Sequence, residues 1–192
     1  MITGHFGLAA AVKSRATSVP LWALMLGTVW LDVVFVPLLL AGIETIGTAE
    51  GLSPGYGNAV IHADYTHSLV GAVLLSALFG WGGWALWGRR AGVVLALVSF
   101  SHWVLDLLVH RMDMPLLPAN WGDLPRLGFG LWQWPWLTAA IELALIVLGA
   151  WLYWRAAGKL PDRGGSRGRL VAILILIGGA ATLAADVTGI LG

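Results

Sequence analysis

The sequence predicts an all-α polytopic membrane bundle: about five transmembrane helices and a short N-terminal helix, re-entrant in one of two readings, in a single domain over residues 1–192. Three observations predict it. Hydrophobic residues make up 58% of the chain and charged residues 11%, against roughly 25% charged in ordinary soluble domains. Five stretches reach the length of about 20 apolar residues that crosses a hydrocarbon core. Lys and Arg gather between them on one side. This composition excludes a disordered chain and a nucleic-acid binder with a basic face. The absence of cysteine excludes disulfides, thiolate metal sites and cysteine nucleophiles.

The first span is expected from Val19 to Ile43, too long for a signal-peptide core. The second runs from His67 to Trp87, the third from Ala91 to His110, the fourth from Pro135 to Trp154 and the fifth from Leu170 to Leu191. With this arrangement, nine cations share one side: Lys13, Arg15, Arg89, Arg90, Arg155, Lys159, Arg163, Arg167 and Arg169. Only Arg111 and Arg126 fall on the other. The basic side is expected to be cytoplasmic, with residues 155–169 as a basic loop and the C-terminus outside. Trp81, Trp84, Trp87, Trp151 and Trp154 near one surface, and Trp121, Trp132, Trp134 and Trp136 near the other, read as interfacial belts. The Pro-, Gly- and Trp-rich segment Met114–Trp136 is expected to cover the bundle. Span five, beyond the long loop, is expected at the periphery.

Residues 3–12 are apolar but too short to span. Thr3 is a candidate helix cap. If Lys13 stays at the inner surface, a helix rising 1.5 Å per residue carries His5 roughly 12 Å inward, as a re-entrant half-helix. Such a helix is tolerated only inside protein. The other reading lays the segment flat on the inner surface.

Ionisable groups inside spans are costly and usually functional. Here they are Asp32 in span one, His102, Asp106 and His110 in span three, Glu142 in span four and Asp186 in span five. Most of them fall in the outer half. His102, Asp106 and His110 sit at i, i+4 and i+8, so one helix face presents imidazole, carboxylate and imidazole. His62, Asp64 and His67 lie within six residues at the start of span two. Imidazole with carboxylate is a frequent zinc ligand set, and also suits manganese or iron.

These pieces, in order, are Gly4-His5, Leu31-Asp32-Val33, His62-Ala-Asp-Tyr-Thr-His67-Ser, Ser101-His102-Trp-Val-Leu-Asp106 and the run Met114–Pro118. Together they resemble the LexA-regulated, inner-membrane-associated metal-dependent hydrolases over roughly residues 4–120. The Thr-His-Ser and Ser-His-x3-Asp pair on consecutive spans carries most of the specificity. The resemblance implies a metal-site core in residues 1–120 and location in the inner membrane. It implies His67, His102 and Asp106 as ligands, then Asp32 and His5. It implies a metal site more firmly than a reaction. The chain departs from the family in having one acidic residue, Asp32, where the family has Asp-x-Asp, which puts a second metal in doubt. His110, a further candidate ligand, and Arg111 replace small or hydroxyl residues.

The expected cofactor is a divalent ion, zinc ahead of manganese or iron. The expected reaction is hydrolysis by a metal-activated water, with Asp64, His62 or Glu142 as general base. A site in the outer half of the membrane favours an amphiphile, such as a lipid phosphoester, whose phosphate Arg111 or Arg126 would hold. The expected partners are therefore membrane lipid and an amphiphilic small molecule, with no nucleic acid. Three other classes use the same residues: a proton- or metal-ion-coupled transporter, a haem redox protein and a non-catalytic metal-binding subunit.

Overall fold

The computed structural model describes residues 1–52, 55–159 and 165–189. The chain is mostly helical. Its helices are α1 (Ile2–Lys13), α2 (Leu21–Thr28), α3 (Trp30–Leu40), α4 (Leu69–Trp87), α5 (Arg89–Val109), α6 (Pro135–Ala156) and α7 (Gly165–Val187). Four of them, α4 to α7, are long and apolar enough to cross a membrane. The pair α2 and α3 makes a fifth span if taken together. The stretch 160–164 of the basic loop and the end of the fifth expected span lie outside the described residues.

Two expectations change. The architecture is not purely α, because β1 (Thr45–Thr48) and β2 (Ala59–His62) form an antiparallel ribbon. Thr45 pairs with His62 and Thr48 with Ala59. Thr and Ile in β1, and Val and Ile in β2, suit extended backbone. The predicted first span is also broken. Its halves meet at 51° across Val29, whose φ of −122° and ψ of 15° leave the helical region. The bend puts Asp32 in the first turn of α3, where the helix dipole favours a carboxylate.

Helix α1 lies inside protein rather than flat on a surface. Thr3, Gly4, His5, Gly7, Ala9, Ala10 and Lys13 are all buried, and α1 packs against α2, α6 and α7. Small residues make this possible. A Cβ added at Gly7 would lie 2.5 Å from the Leu145 backbone, and one at Gly149 would collide with the Gly7 carbonyl. The two backbones are therefore in contact, as in other small-residue helix crossings. Thr3 is no cap, since its hydroxyl donates to Gly179 O of α7 at 3.2 Å. Glu142 of α6 meets the α1 N-terminus instead, accepting the Gly4 N–H at 3.2 Å. This satisfies one of the donors that a helix start leaves unpaired. At the other end, Lys13 Nζ donates to Thr17 O and Val19 O.

The segment after α5 folds over the start of α4. Leu69 and Val70 N–H donate to Pro115 O and Leu116 O, and Ser68 Oγ accepts from Gly71 N–H. Leu31, Ala72, Trp103 and Met114 pack together beneath it. The end of α5 is thereby fixed against the start of α4 and against the ribbon.

The α1–α6 contact gives a stability prediction. Gly149→Val should lower the thermal midpoint in detergent, at a cost of about 1–3 kcal/mol or more from overpacking. Gly178→Ala on α7, with nothing within 4 Å of its added Cβ, should leave it unchanged. Equal midpoints for the two variants would contradict the close crossing.

Candidate metal centre

Five side chains from four elements converge at one end of the bundle. His5 comes from α1, Asp32 from α3, His67 from the turn before α4, and His102 and Asp106 from α5. Two overlapping groups have the composition and spacing to hold a metal ion: His5, His102 and Asp106, and Asp32, His67 and His102.

The shortest separations define a common point. His67 Nε2 lies 3.1 Å from His102 Nε2. Asp32 Oδ1 is 3.5 Å from each of those nitrogens. Asp106 Oδ2 is 3.0 Å from His102 Nε2 and 3.7 Å from His67 Nε2. His5 Nε2 approaches the other Asp106 oxygen, Oδ1, at 3.2 Å. The His5 ring stacks on His102 at 4.1 Å between centroids, and its Nδ1 is buried without a hydrogen-bond partner. His5, His67, His102 and Asp106 are all buried, and Asp32 is half-buried.

Hydrogen bonds on the far edges of the two central imidazoles fix their tautomers. His102 Nδ1 is 2.7 Å from Thr28 O, at the end of α2 just before the bend. A carbonyl only accepts, so Nδ1 carries a proton and Nε2 is left to face the carboxylates. His67 Nδ1 is 2.9 Å from Thr66 Oγ1. That hydroxyl is also 2.9 and 3.1 Å from the two carboxylate oxygens of Glu44. The carboxylate takes the hydroxyl proton, so the hydroxyl accepts from His67 Nδ1–H. Both imidazoles therefore turn Nε2 toward each other, with carboxylate oxygens of Asp32 and Asp106 alongside. A neutral Nε2 is an acceptor, so two such nitrogens beside carboxylates call for a cation among them, either a proton on Nε2 or a metal ion.

The supporting shell is itself buried. Glu44 is fully buried and also accepts the N–H groups of Tyr65 and Thr66 at 2.8 and 2.9 Å. Trp103 Nε1 donates to His67 O at 2.9 Å. Sequence reasoning assigns Glu44 no role and uses Thr66 only as part of the Thr-His-Ser element. The cue was available in retrospect, because Thr66 directly precedes His67, but the Glu44 contact needs the ribbon to fold.

The group borders a cavity of about 510 Å³. Phe35, Val36 and Leu39 of α3, Ile46 and Ile61 of the ribbon and Trp132 supply apolar wall. Tyr56 and Asp186 also line it.

The other expected site residues lie elsewhere or serve otherwise. His62 is exposed at the end of β2. Asp64 pairs with Arg126 through two contacts, of 2.6 and 3.1 Å. This pairing holds the Arg126 guanidinium above its usual range. Arg111 donates to Gly57 O at 3.0 Å. Neither arginine lines the cavity, so the expected phosphate contact is not formed by them. Glu142 is fully buried and accepts from Tyr56 Oη at 2.7 Å as well as from Gly4. Burial and the neighbouring Glu142 push the Tyr56 phenol above its ordinary value, so it remains a donor. His110 lies beside the group, with Nε2 3.8 Å from Asp106 Oδ2.

No protein-family model, no curated protein and no solved structure matches this chain.

Outer-shell partners of ligating imidazoles typically contribute 10–100-fold to metal affinity. Thr66→Val and Glu44→Gln should each weaken zinc binding by about that factor, read by competition with a chelating dye, while helical content stays at the wild-type level. Thr66→Ser, which keeps the hydroxyl, should bind as wild type. Unchanged affinity in Thr66→Val would contradict the relay through Glu44.

Proposed function

We propose that this chain is a membrane-embedded, metal-dependent hydrolase that cleaves a phosphoester of a lipid or other amphiphile. The observation that carries the reading is the convergence of His67 Nε2, His102 Nε2, Asp32 Oδ1 and Asp106 Oδ2, all acceptors, beside an apolar-walled cavity. The separations between the two nitrogens, and from each carboxylate oxygen to them, span 3.0 to 3.7 Å. Bonds of 2.0–2.1 Å to a tetrahedral zinc ion imply ligand–ligand edges of about 3.3 Å. The two-nitrogen, two-oxygen set fits zinc, and accepts manganese or iron.

A metal ion bound there would polarise the bond under attack and acidify a water. The chain's own residues do the rest. Thr28 O and the Thr66–Glu44 pair hold both imidazoles in the ligating tautomer. His5 donates Nε2–H to Asp106 Oδ1 and so orients that carboxylate's other oxygen. Phe35, Val36, Leu39, Ile46 and Ile61 offer an apolar wall for a hydrocarbon tail while the headgroup reaches the polar group. The site's place at one end of the bundle, rather than at its middle, supports an amphiphile drawn from one leaflet. By the distribution of Lys and Arg, that leaflet is the outer one of an inner membrane.

The test is metal-dependent turnover. Detergent-purified protein incubated with a panel of phospholipid and polyprenyl phosphoesters should release phosphate or headgroup. Chelation should remove the activity and zinc, manganese or iron should restore it, with His102→Gln inactive throughout. Metal-loaded, folded protein that cleaves no member of the panel would contradict the proposal.

A further inference from the structure

His110 is not a member of either metal-binding group, although it is buried and lines the same cavity. Its Nδ1 is 2.9 Å from Asp113 Oδ1. The carboxylate accepts, so Nδ1 carries the proton and the Nε2 lone pair points away from Asp113. Asp113 is itself buried and anchored by its second oxygen, which accepts the Ile61 N–H of β2 at 3.1 Å. The ring packs on Trp132, with centroids 4.5 Å apart. His110 is thus a rigid imidazole in a fixed tautomer, oriented by a carboxylate, with its basic nitrogen 3.8 Å from Asp106 Oδ2. His110 thus borders the metal group without belonging to either of its two sets.

We propose that His110 is the proton-transfer residue of this site and Asp113 its positioning residue. The inference rests on the hydrolase reading above and replaces His62, Asp64 and Glu142 in the role of base. Those three groups are exposed, paired with Arg126, or committed to the α1 N-terminus and Tyr56. The arrangement has the logic of other acid–base pairs, in which a carboxylate holds imidazole in the tautomer that accepts a proton. In the step, a water oxygen forms a bond to phosphorus and its proton passes to His110 Nε2. The bond from phosphorus to the leaving oxygen breaks with its electron pair on that oxygen. The proton then passes from Nε2 to the leaving oxygen, and His110 returns to its starting state.

The experiment compares wild type, His110→Ala, His110→Gln, Asp113→Asn and the His110→Ala/Asp113→Asn double variant. Each is purified in detergent and assayed for bound zinc and for cleavage of hexadecyl 4-nitrophenyl phosphate in mixed micelles. The expected result is wild-type zinc content in all five. Turnover should fall about 100-fold or more in both His110 variants. Asp113→Asn should lower kcat with KM unchanged, and the double variant should be no slower than His110→Ala, since the pair acts as a unit. Added imidazole should recover part of the rate in His110→Ala alone. Loss of zinc in both His110 variants would make His110 a ligand and overturn the proposal. Turnover within about threefold of wild type would overturn it too. A zinc-loaded wild type that does not cleave this probe or the lipid phosphoesters would instead sink the hydrolase reading, and the proton-transfer role with it.

Discussion

The meeting of His67 and His102 with Asp32 and Asp106 is the constraint on which the rest of this structure depends. Two imidazole nitrogens and two carboxylate oxygens do not gather inside an apolar bundle of their own accord. Removing ionised groups from water costs several kcal/mol per ion even after relaxation, and attraction offsets this only when the partners are complementary. Here two carboxylates face two imidazoles, and the set is complementary only with a cation in it, a proton on Nε2 or a metal ion. The bend at Val29, the interior position of α1 and the ribbon over the α4 start all serve that convergence. The bend brings Asp32 and Thr28 O to His102. The α1–α6 crossing brings His5 to Asp106. The ribbon and its flanks bring Glu44 to Thr66 and Asp113 to His110.

The arrangement also separates two kinds of carboxylate. Asp32 and Asp106 face the common point with at least one oxygen. Glu44, Asp113 and Glu142 face away from it, and each is occupied by N–H or O–H donors: Glu44 by Thr66 and two backbone amides, Asp113 by His110 and Ile61, Glu142 by Gly4 and Tyr56. The first kind is built to meet a cation. The second kind holds the pieces in place. Sequence position alone does not distinguish them, because both are single acids in apolar surroundings.

That distinction marks how far the sequence could be read. The spans α4 to α7 follow from hydropathy, and the stripe of His102 and Asp106 follows from four-residue spacing on a helix. His67, Asp32 and His5 were legible as polar groups where apolar ones belong. The meeting of all five was not, since spacing fixes a face and not what packs on it. The bend is a different case. Helix kinks are usually attributed to proline, and α3 contains Pro37, yet the break lies at Val29, where tertiary contacts to His102 act. The ribbon escaped because two four-residue strands carry too little pattern to stand out beside long apolar helices. Asp64 and Arg126 were each given a chemical role, and in the structure they satisfy each other.

The central claim is that a metal ion, and not a proton, reconciles His67 and His102. X-ray absorption at the zinc edge on purified, zinc-equilibrated protein tests it most directly. The account predicts about one zinc per chain with only nitrogen and oxygen neighbours, near 2.0–2.1 Å, and outer-shell scattering from two imidazoles. A folded protein that retains no zinc, manganese or iron, or a bound ion without imidazole scattering, would contradict it.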